Sequence, residues 1–438
     1  MLDIKFIREN QERVAKAIKD KNVTLDLGKL LEVDKRRRDL LQEAEQLRSL
    51  KNDLNDIMKT TTEEKERAEA IAKGKEIKEK SDVIAPQMEM LAKQYEELMR
   101  LVPNTPSDDT PVGQDESGNV VVREVGEHPR FSFRPKEHWE LGADLDVIDV
   151  ARAAKVSGTR FAYIKGDLVL LEYALMHFAL SVLTDEKKLS AIAEKASITV
   201  SAKPFVPVLP PVMIRPEMMQ RMARLDPEEM YAVEKDKLNL IGSAEHALGA
   251  MYADETLQEK DLPLRLVGFS TAFRREAGSY KKDMKGILRL HQFNKLEIES
   301  FTTSEHSRTE QDFIVAIQEH LMQALQLPYR VVAVCTGDMG KPDVRQIDIE
   351  TWLSGQDRYR ETHTSDLIGD FQARRLNTKV KRTTGVTELV HMNDATVFSE
   401  RPLIAIMENY QQEDGSIVIP DVLRPFLPSS KECISRPA

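Results

Sequence analysis

The stretch TAFRREAGSYKKDMKGILRLHQFNKLEIE, residues 271–299, concentrates Arg274, Glu276, Arg289 and Glu297 on two apolar arms around a glycine- and lysine-rich tip. Two such arms read as a hairpin. Successive side chains of a strand point to opposite faces. In the second arm Ile287, Arg289, His291, Phe293, Lys295 and Glu297 share one parity. That face is expected to form a floor for a polar ligand with an aromatic ring. Arginine suits phosphate, because its planar fork stays charged and binds oxygens in pairs. GxGxxG and GxxxxGK[ST] are both absent from the sequence, so neither a Rossmann nor a P-loop nucleotide site is indicated.

The elements that must position these residues divide the chain of 438 residues in two. Val33, Leu40, Leu47 and Leu54 recur every seven residues, and Ile77, Ile84, Leu91 and Leu98 repeat the spacing after the polar break KTTTEEKE (59–66). Arg36, Glu43, Leu50 and Ile57 make a weaker second track. Sustained heptads joined by a short polar turn predict an antiparallel helical hairpin. Pro86 is expected to kink its second helix. Between Lys29 and Arg100 there are 16 basic and 17 acidic residues, so composition alone does not mark a nucleic-acid surface. The clusters KRRR (35–38) and Lys73, Lys75, Lys78 and Lys80 could meet phosphates or simply be solvated.

Residues 102–119, rich in Pro, Ser, Asp and Gly, read as a linker between an N-terminal domain (1–101) and a second domain (120–438). The second domain mixes types. GDLVLLEYALMHFALSVL (166–183) reads as a buried helix, and YRVVAVC (329–335) and RQIDIETWL (345–353) read as strands. FVPVLPPVMI (205–214) is strand-like, with Pro210 and Pro211 demanding an edge or an end. RPLIAIMENYQ (401–411) reads as a helix with Pro402 in its first turn. Strands without a regular βαβ rhythm favour an α+β fold with a mainly antiparallel sheet flanked by helices.

Apolar content of 41% and charged content of 31% describe a globular chain. A net charge of -10 means that any nucleic-acid contact must be localised. Cys335 and Cys433 form no metal or disulfide pattern, and there is no apolar run near 18 residues, so a cytoplasmic protein without a membrane partner is expected.

FRREAGSYKKDMKGILRLHQF resembles the second signature of class II aminoacyl-tRNA synthetases, in the form found in seryl-tRNA synthetase. ETHTSDLIGDFQARR (361–375), IAIMENYQQEDGSI (404–417) and IPDVLRPFL (419–427) look like further segments of that family, and the heptad hairpin looks like its tRNA-binding arm. The resemblance implies a helical hairpin followed by a six-stranded antiparallel sheet with a seventh strand, in a homodimer. It also implies an ATP-dependent ligase that forms seryl-adenylate and then charges tRNA-Ser, and in many members selenocysteine tRNA.

By resemblance Arg274 takes the α-phosphate and bridges to the serine carboxylate, and Glu276 reads the adenine amino group. Phe293 and Arg401 enclose the base, Arg401 also taking the γ-phosphate. Arg289 is a further ATP-site position. Glu361 holds Mg²⁺, with Thr364 as a second oxygen donor. Ser243, Glu245, Glu297, Thr364 and Asn393 fall in the amino-acid pocket, Glu297 toward the hydroxyl and Glu245 toward the α-ammonium. Lys281, Lys282 and Lys285 would meet acceptor-end phosphates. His291 is expected to orient rather than react, and His363 is not read as a zinc ligand.

The chain departs from the family pattern at Ser243, at Asp366 and Leu367, and in NDATVFSERP. There Ala395 lacks a hydroxyl and Glu400 could compete for Arg401. The rival readings are a non-catalytic paralogue, activation of another amino acid, and transfer to a carrier protein instead of tRNA.

Overall fold

The computed structural model describes residues 1–225, 227–277, 283 and 285–436. They form two compact units, Met1–Pro103 and Asn104–Ala438. In the first, α1 (Leu27–Thr60) and α2 (Glu64–Leu101) are joined by three residues. Asp26 starts α1 by accepting a hydrogen bond from Lys29 N at 3.0 Å. The heptad seam buries Leu47, Ile77 and Ile84, with Leu40, Ala44, Leu54 and Met88 packed beside them. Leu50 and Ile57 of the weaker track stay about half exposed, at 51% and 46%. α2 continues on both sides of Pro86.

The second unit is built on an eight-stranded sheet. Its strands are β1 (Val120–Val125), β2 (Val206–Val208), β3 (Leu264–Phe273), β4 (Gln292–Thr302), β5 (Tyr329–Ala333), β6 (Arg345–Leu353), β7 (Arg358–Gly369) and β8 (His391–Ser399). The order is β1-β5-β6-β7-β8-β4-β3-β2, antiparallel throughout except for the parallel edge pair β2–β3. That is one strand more than expected. The addition is edge strand β1, whose Val120, Val121 and Val122 are exposed. Pro210 and Pro211 fall beyond β2, where no ladder hydrogen bond is lost.

Alternation along the strands separates two faces. Ile298, Ile347, Ile349, Ala395 and Val397 join the main core with residues of α3 (Asp167–Leu183), α4 (Ser307–Ala324) and α5 (Glu400–Asn409). A buried bidentate ion pair fixes α4 on this side: Arg265 meets Glu310 at 2.6 and 2.7 Å, and Ser300 Oγ also donates to Glu310. The opposite face carries Glu297, Asp348, Thr364, Asp366, Asp394 and Thr396, and so is polar.

From Asn104 onward, the residues read as a linker are part of the second unit. Asn104 Nδ2 donates to Pro342 O and Ile368 O, both at 2.8 Å. Ser107 N donates to Val344 O at 2.8 Å, and Asn119 Oδ1 accepts from Cys335 N at 2.9 Å. The polar side chains that suggest a free segment instead satisfy backbone groups at the sheet's end. Among the described residues, no single helix is long and apolar enough to cross a membrane.

Candidate active site

One cavity opens on the polar face. Phe293, Lys295 and Glu297 line it from alternate positions of β4, and Thr396 faces them from β8. The strand begins at Gln292, not at Ile287. Ile287 N donates to His138 Nε2 at 3.2 Å. Gly286, at φ +73°, packs so closely on that imidazole that a Cβ would lie 2.0 Å from Nε2. The chain curls there, so Arg289 reaches the cavity from a turn rather than from the strand.

The expected floor therefore loses His291, which does not line the cavity. Its Nδ1 lies 3.1 Å from Arg274 O, its carbonyl accepts from Arg274 N at 3.0 Å, and its ring packs near Phe161 and Tyr231. Lys281 and Lys282 lie outside the described residues. Lys285 Nζ stands 4.2 Å from the centre of the Trp139 ring.

One end of the cavity is cationic. Arg274 Nε donates to Gly242 O at 2.9 Å, and its guanidinium lies 5.6 Å from the Phe293 ring centre. Arg289 pairs with Glu276 at 2.6 Å. Glu276 has φ +53°, an unusual value for a residue with a Cβ. Ser399 caps α5 by accepting from Arg401 N at 3.3 Å, which sets Arg401 in the first helical turn. Arg401 Nη1 then meets Glu361 Oε1 at 2.8 Å and Glu361 O at 2.9 Å.

Glu361 owes its place to a bulge. The β6–β7 register shifts between Ile349 and Glu350, so Glu361 and Thr362 both line the cavity, together with Thr364. Thr364 Oγ1 is 3.5 Å from Glu361 Oε1. Desolvation raises the Glu361 pKa, but the positive field of Arg401, Arg274 and Lys295 outweighs it and holds the group below its ordinary value. Paired cross-strand residues of β7 and β8 end at Ser365 and Ala395. There Gln318 Nε2, from α4, donates to both Thr364 O at 3.0 Å and Thr396 O at 2.7 Å. This buried amide holds the two strands together where their ladder stops.

The other end is acidic and deep. Carboxylate oxygens of Glu245, Glu297 and Asp394 lie within 4.8 Å of one another. Lys295 Nζ stands 2.6 Å from Glu297 and donates to Ser243 Oγ at 3.2 Å. Burial pushes the Glu297 carboxyl up to about 8, against the opposing charge of Lys295. Burial also opposes ionisation of Glu245, but Lys295, Arg224, His246 and Arg274 overcome it and hold that group at about 2. Arg224 lines this end and pairs with Asp343, Asp366 and Asp394.

The structure thus brings Glu245, Arg274, Glu276, Arg289, Phe293, Glu297, Glu361, Thr364 and Arg401 to one cavity. Ser243 sits behind it, in contact with Lys295. Asn393 is elsewhere. It pairs with Ser300 and shares the core-facing side with Ala395, so Asp394 and Thr396 take the polar face instead, where Thr396 lines the cavity. The side chain of Glu400 turns from Arg401 and accepts from Asn294 N at 2.6 Å. His363 is buried in the core side, its ring 5.8 Å from Phe398, and burial lowers its pKa to about 3. Lys295 was signalled by its parity with Glu297. Arg224 had no such signal, because it follows a short helix rather than a strand.

Known proteins match the whole length. Residues 1–106 match the family model "Seryl-tRNA synthetase N-terminal domain", and residues 230–410 match "tRNA synthetase class II core domain (G, H, P, S and T)". A serine--tRNA ligase of Citrifermentans bemidjiense is 37% identical over 431 residues, 98% of each chain. One from Nitrosopumilus maritimus is 36% identical over 437 residues, covering 99% of this chain and 100% of that protein. The crystal structure of seryl-tRNA synthetase from Pyrococcus horikoshii complexed with ATP superposes with a TM-score of 0.89 at 35% identity, over 100% of both chains. With these likenesses spanning both units, the chain belongs to the seryl-tRNA synthetase family.

Proposed function

We propose that the chain activates L-serine with ATP to seryl-adenylate and pyrophosphate, then transfers the seryl group to the 3'-terminal adenosine of tRNA-Ser. The observation that carries this reading is the polarity of one cavity, with Arg274, Arg289 and Arg401 at one end and Glu245 and Glu297 at the other. The first end suits a triphosphate; the second suits an α-ammonium and a hydroxyl. Arg274 acts on both, since its charge lowers the pKa of Glu245 and of Glu361.

In the first step a serine carboxylate oxygen attacks the α-phosphorus. A new O–P bond forms as the bond to pyrophosphate breaks, and no proton moves. The protein's task is alignment and charge stabilisation, which falls to Arg274 at the α-phosphate. Arg289 and Arg401 take the outer phosphates and the base, with Phe293 on the other face of the adenine. Their present partners, Glu276 and Glu361, would be exchanged or shared when ATP enters. Glu361 and Thr364 fit a hard cation: the carboxylate is half exposed, and a hydroxyl stands beside it. Mg²⁺ held there would neutralise phosphate charge. In the second step the terminal ribose hydroxyl attacks the seryl carbonyl carbon, AMP leaves with the electrons of the anhydride bond, and the hydroxyl proton passes to a phosphate oxygen of the departing AMP or to solvent.

The α1–α2 hairpin is assigned to the body of tRNA-Ser, through the basic clusters at 35–38 and 73–80. The homodimer is assigned to α3 and the β2 edge, where Tyr173 is 52% and Leu209 85% exposed. The test is amino-acid-dependent exchange of pyrophosphate into ATP without tRNA. Serine is expected to support it, and Arg274→Ala to lower it at least about 100-fold. A folded enzyme that exchanges with no amino acid would sink the reading.

A further inference from the structure

Arg224 enters the acidic end of the cavity from a turn. The helix Pro216–Met222 stops at Ala223, whose φ of 57° is left-handed, and this reverses the chain so that Arg224 points inward. Its side chain is 8% exposed. Nε donates to Asp394 at 3.0 Å, Nη1 to Asp343 at 2.7 Å, and Nη2 to Asp366 at 2.8 Å and again to Asp394. Glu245 Oε1 lies 4.0 Å from Nε. A flat guanidinium held along three edges is a stiff surface, whereas a lysine would present one rotatable point charge. A stiff, close-packed surface yields less to an added methyl group than a flexible one does.

Asp366 and Asp394 are positions at which the chain departs from the motifs it resembles, and both bind this same arginine. These two departures therefore share one partner. Ala395, the most conspicuous of them, faces the core and takes no part.

We propose that Arg224, clamped by Asp343, Asp366 and Asp394, is the wall that limits the side chain of the amino acid accepted and that keeps Glu245 in place for the α-ammonium. This rests on the serine-activation reading above. Arg224 is thus a specificity-determining and positioning residue of the amino-acid end, and it leaves the nucleotide end alone.

The experiment measures pyrophosphate exchange with serine and with threonine in the full chain, with KM for ATP alongside. Arg224→Lys keeps the charge and loses the fork. It is expected to raise KM for serine about tenfold and to leave KM for ATP unchanged. Removing the arginine alone would take a charged partner from the buried Asp366 and Asp394, so the second variant is the triple change Arg224→Thr, Asp366→Ser, Asp394→Gly. This is expected to fold, to keep KM for ATP, and to lose at least about tenfold in preference for serine over threonine. A parent enzyme inert toward serine overturns the functional reading and this one with it. A parent that exchanges with serine, beside a folded triple variant with unchanged preference, overturns the role of Arg224 alone.

Discussion

The Glu400 carboxyl lies at the start of α5, 5% exposed, and accepts from Asn294 N. Burial and the nearby Glu172 carboxyl push its pKa from 4.5 up to about 8. Between those values the folded chain holds a proton that the unfolded chain has released. Folding is then favoured at low pH, and that contribution is lost as pH rises through 8. Glu400→Gln keeps an acceptor for Asn294 N and removes the titration. The urea midpoint of the parent should fall from pH 5 to pH 8 more steeply than that of the variant, by on the order of 3 kcal/mol in stability. Superimposable profiles would show that Glu400 carries no extra proton. Glu400 does not hold Arg401 away from a ligand, because Arg401 is bound to Glu361.

At the scale of elements, residues 285–290 form the stem that leads from the β3–β4 connection into β4. His138 holds it. The imidazole meets Glu408 of α5 through Nδ1 at 2.9 Å and accepts Ile287 N through Nε2. Glu408 also accepts from Gly355 N at 3.0 Å, so one buried carboxylate links α5, the β6–β7 turn and the stem. Ile287, Leu288 and Arg289 follow directly and line the cavity. His138→Phe should raise KM for ATP about tenfold, since a few kcal/mol or less of misplacement moves Arg289. His138→Gln, which retains an acceptor near the Nε2 position, should stay closer to the parent. Steady-state exchange kinetics decide this, and a KM for ATP equal to the parent's in His138→Phe would remove His138 from the account.

At the scale of the whole molecule, the proposed function gives the two units different work. The cavity is built entirely from residues beyond Asn104, whereas α1 and α2 belong to the first unit. In that proposal adenylate formation needs only the cavity, and charging needs the tRNA body to be held. Deleting residues 28–100 should leave serine-dependent pyrophosphate exchange within about twofold of the parent and abolish charging of tRNA-Ser. Normal charging by the shortened chain, measured as acid-precipitable seryl-tRNA, would refute the assignment of the arm.

Periodicity and contiguous motif carried much of this into view before any coordinates. The hairpin is legible because a coiled-coil seam is written in every seventh residue, and Leu47, Ile77 and Ile84 are buried on that seam. Arg274, Glu276, Phe293 and Glu297 are legible because one motif holds them in order. Tertiary structure decided the remainder, wherever a side chain's face depends on backbone irregularity or on a remote partner. A bulge brings Glu361 beside Thr364, and strand pairing turns Asn393 to the core side and Asp394 to the polar face. His291 leaves the floor because the stem curls onto His138. Arg224 meets Asp343, Asp366 and Asp394 across 119, 142 and 170 residues of chain, and no local spacing encodes a contact made by folding alone.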